Sequence, residues 1–218
     1  MGVLGAAGGC GSSAPRSLPT LLASARRTVN ATKAVHFVLS SQNMPSSGTT
    51  LQGGAGDLVR PGELKGTFEA SVDGLPVNIK LTEVRGKFYA LLPFASRYQV
   101  VNPAQFGFGD PAALLNPHTG VSGLLTELRG ARSAGQARFS GELLDQVSGS
   151  VPGTAVKNFL PDVDPGQPVA LTFGIDPSSY QVRTVVATGP FVQATVKSTY
   201  RVALTQYGES VAISVPPA

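Results

Sequence analysis

FVQATVKSTYRVALTQ, residues 191–206, is the stretch on which the reading of the fold turns. Val192, Ala194, Val196, Ser198, Tyr200, Val202 and Leu204 alternate with Gln193, Thr195, Lys197, Thr199, Arg201 and Thr205. A period of two sustained this long predicts a strand with one covered face and one wet face. At about 3.3 Å per residue, a strand of roughly 14–16 residues reaches near 50 Å, well beyond the usual 5–6 residues. Such strands twist and coil. The expected fold is therefore α+β: a single strongly curved antiparallel β-sheet, a half-barrel, with several α-helices on its concave face.

The same period recurs through the rest of the chain. AVHFVLSS places Val35, Phe37 and Leu39 on one face. GTTLQGGAGDLV and ELKGTFEASV follow as strands, the second with Phe68, Ala70 and Val72 together, and PVNIKLTEV alternates Val77, Ile79 and Leu81. Asp73-Gly74 and Arg85-Gly86 are hairpin turns, because their residues tolerate positive φ. PVALTFGID sets Val169, Leu171, Phe173 and Ile175 on one side, and YQVRTVVAT returns from the DPSS turn. Helical spacing appears at two places. Ser17 opens a helix to about Asn30 with an apolar stripe of Leu18, Leu22, Ala25 and Val29. In the middle, Asp110-Pro111 caps a short PAALLN segment, and TGVSGLLTELRGARSAG continues as a helix carrying Val121, Leu124, Leu125 and Leu128. ARFSGELL reads as one strand and GTAVKNFL as one more short helix. The helices lie between strand blocks that need one another to complete a sheet, so residues 17–218 are read as one domain.

Composition narrows the function. The 218 residues are 42% hydrophobic and 14% charged, with 26 glycines and 17 prolines that punctuate apolar runs. That pattern excludes a disordered chain. No apolar run approaches the roughly 18–20 residues of a membrane-spanning helix. Residues 1–56 hold Arg16, Arg26, Arg27 and Lys33, and the first acid is Asp57. A basic segment of this kind suits either an anionic membrane surface, at about 1 kcal/mol per charge, or a solvated helix face. Nucleic acid is not an expected partner, since no basic cluster is interleaved with stacking aromatics and Trp is absent.

The search for chemistry leaves little. His36 and His118 are the two histidines; His36 reads as a structural histidine in a strand and His118 as a loop residue. No zinc-ligand spacing occurs, and no cofactor is implied. Ser122 in TGVSGLL lacks the glycine spacing of a nucleophile elbow. FGFGDPAA lacks the lysine and βαβ setting of a phosphate loop, so its glycines belong to a turn. Asp162 and Asp164 read as turn residues, with a weak cation site as the alternative, and Asn30-Ala31-Thr32 fits a glycosylation sequon. No catalytic constellation emerges, and a non-enzymatic role is expected.

Cys10 is the single cysteine. Leu4-Gly5-Ala6-Ala7-Gly8-Gly9-Cys10 resembles a lipobox, at which a signal peptide is cut and the cysteine sulfur receives a diacylglyceryl group. On this reading residues 1–9 are a truncated signal-peptide remnant and residues 10–16 a flexible tether after the lipidated cysteine. A signal peptide also needs a basic n-region and a 7–15-residue apolar core. Neither precedes Cys10, which leads us to expect a precursor that starts upstream of Met1.

Four further stretches carry a family resemblance: LLASARRTVNATKAVHFVLS, VRGKFYALLP, FGFGDPAALLNPHTGVSGLLTEL and YRVALTQYGESVAISVPP. Together they resemble the LppX/LprG family of mycobacterial lipoproteins, over nearly the whole chain from the first helix onward. The resemblance implies helices enclosing an apolar cavity against the curved sheet. It also implies a lipid carrier for the acyl chains of a cell-envelope lipid or glycolipid, anchored to the outer face of the cytoplasmic membrane, with an export transporter as a candidate partner. The cavity lining it implies is Phe68, Ala70, Val72, Ile79, Leu81, Ala90, Leu92, Leu124, Leu125 and Leu128. Alternation by itself does not separate cavity lining from packed core. A surface lipoprotein that docks a protein partner, and more remotely an envelope hydrolase, remain as other readings.

Overall fold

The computed structural model describes residues 17–217; Cys10 and the expected tether lie outside the described residues. Eleven strands form one sheet in the order β6-β5-β4-β3-β2-β1-β11-β10-β9-β8-β7. They are β1 (Ala34–Gln42), β2 (Thr49–Val59), β3 (Glu63–Val72), β4 (Leu75–Val84), β5 (Lys87–Leu91), β6 (Gln99–Val101), β7 (Arg129–Phe139), β8 (Glu142–Pro152), β9 (Pro168–Ile175), β10 (Val182–Gly189) and β11 (Ser198–Thr205). Every neighbouring pair is antiparallel. Two meanders, β1 to β6 and β7 to β11, therefore join where the first strand pairs with the last. The hairpin signals hold, with Asp73 and Gly74 at φ of 50° and 83° and Arg85 and Gly86 at 55° and 72°.

The sheet is dry on one face. Val35 and Phe37 of β1, Phe68 and Ala70 of β3, Ile79 and Leu81 of β4, and Val169, Leu171, Phe173 and Ile175 of β9 are all buried in one continuous core. Right-handed twist accumulated over so many strands bends the sheet around that core. Between β2 and β3, Gly56 faces Gly66. A Cβ on Gly56 would run into the Lys65 carbonyl and the Gly66 Cα, so only glycine permits this approach.

Several expectations are corrected. The long final strand is β11 alone, eight residues from Ser198. The β10–β11 ladder begins at Gly189 opposite Ser198. Pro190 cannot donate to a ladder, and Phe191 folds back onto Tyr200 with ring centroids 5.4 Å apart. Residues 191–197 are thus a loop whose alternation is incidental. The middle helix ends at Glu127, forming a seven-residue α2 (Val121–Glu127). Arg129–Phe139 is strand β7, with Gly130 and Gly135 at φ of 60° and 82° where a helix cannot continue. ARFSGELL is two strands joined by a turn at Ser140-Gly141. Among the described residues, the helical elements are α1 (Leu18–Ala31), α2 and three short 3-10 turns at Pro103–Phe106, Pro111–Leu115 and Gly153–Val156, rather than several α-helices. Helix α1 buries Leu21, Ser24, Ala25 and Val29, so its inner face is rotated from the expected stripe and leaves Leu18 and Leu22 at the edge.

Candidate functional site

The site is a hollow between the dry face of the sheet and the segments that cover it. The floor is built by period-two placement: Phe37 and Leu39 of β1, Leu51 of β2, Phe68 of β3, Leu171 of β9, Val185 and Ala187 of β10, and Tyr200 and Val202 of β11. The cover supplies Phe108, Pro111 and Leu114, then Leu124 of α2, and Val156, Phe159 and Leu160. The space left unfilled by protein atoms is about 740 Å³, open solvent at its mouth included.

Each part of the cover has a local cause. Asn102 caps the first 3-10 turn by accepting the Ala104 N–H at 3.1 Å, and Asp110 caps the second by accepting the Ala113 N–H at 3.2 Å. Asn116 Oδ1 accepts the His118 and Thr119 N–H groups and turns the chain into α2. Backbone bonds tie the two halves of the cover together, Gly109 N–H to Phe159 O at 2.8 Å and Asp110 N–H to Asn158 O at 2.9 Å. A Cβ on Gly109 would strike the Asn158 carbonyl, so glycine is required at that junction. Stacked rings join cover to floor: Phe108 lies over Phe68 with centroids 5.0 Å apart, and Phe68 meets Phe37 at 5.7 Å.

The electrostatics of the hollow are simple. Tyr200 carries the lining's polar side-chain atom, and its hydroxyl donates to the Leu51 carbonyl at 3.2 Å. Burial pushes that phenol well above its ordinary range. With this hydroxyl engaged, the wall offers apolar surface and no free donor, acceptor or charge. Beneath the cover lies one buried acid, Glu83 of β4. It is 4% exposed, between Leu64 and Phe88 on the neighbouring strands, and its Oε2 has no hydrogen-bond partner. Burial, the Asp110 carboxylate and a hydrogen bond to it raise the Glu83 pKa to about 8.

The residues expected from the sequence fall in different places. Phe68 and Leu124 line the hollow. Ala70, Ile79, Leu81, Ala90 and Leu125 are buried in the surrounding core, while Leu92 and Leu128 are half-buried against it. Val72 is a correction: at 37% exposed, it sits where β3 reaches its hairpin, beyond the cover. Leu171 of β9, Val185 and Ala187 of β10, and Tyr200 and Val202 of β11 line the hollow beyond the expected set. His36 pairs with Asp57 at 2.7 Å across β1 and β2, which satisfies it as a structural histidine. Ser122 is fully buried with its hydroxyl unpaired, enclosed away from any substrate. Asp164 accepts the Gly166 N–H at 2.9 Å in a turn. Among the described residues no group of three His, Cys, Asp or Glu side chains could hold a metal ion, and no helix is long and apolar enough to cross a membrane.

Comparison with known proteins places this geometry. Residues 15–213 match the family model described as LppX_LprAFG lipoprotein. The lipoarabinomannan carrier protein LprG of Mycobacterium tuberculosis is 28% identical over 202 residues, which is 90% of this chain and 81% of that protein. Its Mycobacterium leprae counterpart is 31% identical over 150 residues, 68% of this chain and 61% of that one. In fold, the chain is similar to the crystal structure of LprF from Mycobacterium bovis, with TM-score 0.73 at 17% identity, covering 91% of this chain and 96% of that one. It is also similar to the Mycobacterium tuberculosis lipoprotein LppX, with TM-score 0.61 at 15% identity, covering 91% and 100%.

Proposed function

The chain belongs to the LppX_LprAFG lipoprotein family, and on that premise we propose that it binds the acyl chains of a cell-envelope lipid or glycolipid in the hollow. It carries this ligand between the cytoplasmic membrane and the outer envelope, held to the membrane's outer face by a lipid on Cys10. The observation that carries the reading is the wall: apolar side chains throughout, with the Tyr200 hydroxyl already satisfied. Such a wall selects for acyl chain and against anything that needs a polar partner. Transfer of chain from water gives about 0.8 kcal/mol per CH₂, so affinity requires volume and no charged group. The cavity itself is about 100 Å³, below the roughly 300–1,000 Å³ of a fully formed ligand pocket, so an acyl chain enters by spreading the cover from the sheet. A polar headgroup stays outside, because nothing within the wall could replace its water. The name of the curated relatives, a lipoarabinomannan carrier protein, supports an amphiphile with a glycan headgroup as the ligand class. The reading assigns no reaction to the chain.

Solvent extraction of the full chain purified from its native host, followed by mass spectrometry, tests this. The expected result is stoichiometric acylated lipid. Protein that is consistently free of lipid would overturn the carrier reading in favour of a protein-docking module. For the anchor, Cys10→Ser is expected to move the protein from the membrane fraction to the soluble one, and continued membrane association would refute lipidation at that position.

A further inference from the structure

Leu144 of β8 is fully buried, yet it stands apart from the continuous core of the molecule. Val147, three residues on, faces that core, so Leu144 faces the outer side of the sheet. Around it the second meander forms a recess of about 260 Å³. Arg201 reaches it from β11, between Tyr200 and Val202 of the hollow's floor, and Thr184 reaches it from β10, beside Val185 of that floor. The recess and the hollow therefore lie on opposite faces of the same strands. Gly174 lies beneath the lining. A Cβ there would strike Thr184 Oγ1 and lie 2.9 Å from Gln146 Nε2 and 3.0 Å from Leu144 Cδ1, so these three side chains converge above the bare glycine.

The polar groups of the lining have hydrogen-bonding capacity to spare. Thr184 is 3% exposed, and among the described residues nothing bonds its hydroxyl. The Gln146 amide, the Thr172 hydroxyl and the Arg201 guanidinium are likewise unengaged among the described residues. Arg138 spends one N–H on the Gly141 carbonyl at 3.2 Å and keeps the rest of its fork. Charge is one-sided. Strands β7 to β11 carry Arg129, Arg132, Arg138, Arg183 and Arg201 against two acids, Glu142 and Asp145. Glu142 pairs with Arg183 at 3.0 Å, Asp145 accepts from Gln136 at 2.8 Å, and neither lines the recess. We propose that the recess binds a phosphate-type oxyanion, gripped by Arg138 and Arg201 and hydrogen-bonded by Thr184 and Gln146 from below.

The chemistry of the lining selects this ligand. A guanidinium presents paired N–H donors that match two oxygens of a phosphate, and a hydroxyl or amide donor bonds a charged acceptor more strongly than a neutral one. A cation would meet two arginines, and a neutral ligand would leave both without a counter-charge. An apolar chain would bury the Thr184 hydroxyl and the Gln146 amide without partners. The site is independent of what the hollow holds, since the sheet separates the two. A phospholipid headgroup and free phosphate present the same oxyanion, and the two arms of the experiment tell them apart.

The test uses the full chain carrying Cys10→Ser, so that no acyl group there contributes. Inorganic phosphate is titrated at constant ionic strength and followed by NMR, and the Gln146 side-chain amide is expected to shift saturably. Arg201→Gln, at an exposed position, weakens phosphate binding about tenfold, which is about 1.4 kcal/mol. Thr184→Val keeps the shape, removes the hydroxyl and weakens binding several-fold. Arg132→Gln is the control, exposed on β7 and outside the lining, and leaves affinity unchanged. The second arm floats the protein with phosphatidylglycerol or phosphatidylcholine vesicles. A preference for phosphatidylglycerol that Arg201→Gln abolishes and free phosphate displaces identifies a lipid headgroup. Phosphate binding without that preference identifies the free ion, and either result upholds the site. Absence of both responses overturns it, as does unchanged binding by Arg201→Gln or an equal loss from Arg132→Gln. None of these outcomes bears on the carrier reading, which is decided by extraction of the hollow.

Discussion

At neutral pH Glu83 keeps its proton, since burial and the Asp110 carboxylate raise its pKa from 4.5 to about 8. Below pH 4.5 both the folded and unfolded chains hold that proton. Between 4.5 and 8 the unfolded chain releases it while the folded chain retains it, so the folded state binds more protons and stability falls as pH rises. The loss is complete above pH 8. Glu83→Gln preserves the shape and the donor toward Asp110 and removes the titration. The wild-type chain is therefore expected to lose a few kcal/mol relative to this variant between about pH 5 and 9, read from urea unfolding at each pH. Parallel stability curves for the two chains would show that Glu83 is not held neutral. The site at this scale was partly concealed in the sequence. The glutamate in LTEVRG looks like any solvated strand residue, and its burial beside Asp110 is set by the tertiary fold.

Elements were legible wherever one local signal decided them. Hairpin turns with residues suited to positive φ, and the alternation of β9, needed no tertiary information. Alternation misled at residues 192–196, because proline at 190 removes a ladder donor and the chain folds over Tyr200 instead. Helical spacing misled beyond Glu127, because Gly130 and Gly135 are weak helix formers and β8 offers Arg129 a partner. Lining and core shared one period on the strands; Phe68 and Ile79 differ only in whether the cover leaves a gap above them. The β2–β3 pair makes a sharp prediction of its own. Gly56→Ala forces a Cβ into the Lys65 carbonyl and should cost about 1–3 kcal/mol or more. Gly62→Ala, with nothing within 4 Å of its added Cβ, is the matched control and should change stability by no more than about 0.5 kcal/mol. Equal effects in denaturant unfolding would mean that the close approach does not constrain the sheet.

The molecule as a whole sets affinity through the space it leaves unfilled. Ala187 is the small residue in a wall of leucines, valines and aromatics, so Ala187→Trp adds bulk where ligand would lie. Lipid recovered by extraction should drop several-fold while the melting temperature holds or rises, since filling a void restores dispersion contacts. Full loading with a raised melting temperature would place the ligand elsewhere. The pairing of β1 with β11 has a consequence in time. The walls of the hollow meet at that seam, where Tyr200 bonds Leu51 from 149 residues away. During synthesis, the meander from β1 to β6 emerges long before its partner and waits with its central strand an open edge. That edge closes only when residues 198–205 have arrived, so a chain interrupted earlier lacks the seam that completes the hollow. Such a chain exposes an adhesive strand to its neighbours. A closed chamber and protection from aggregation are thus acquired in one event, the arrival of β11.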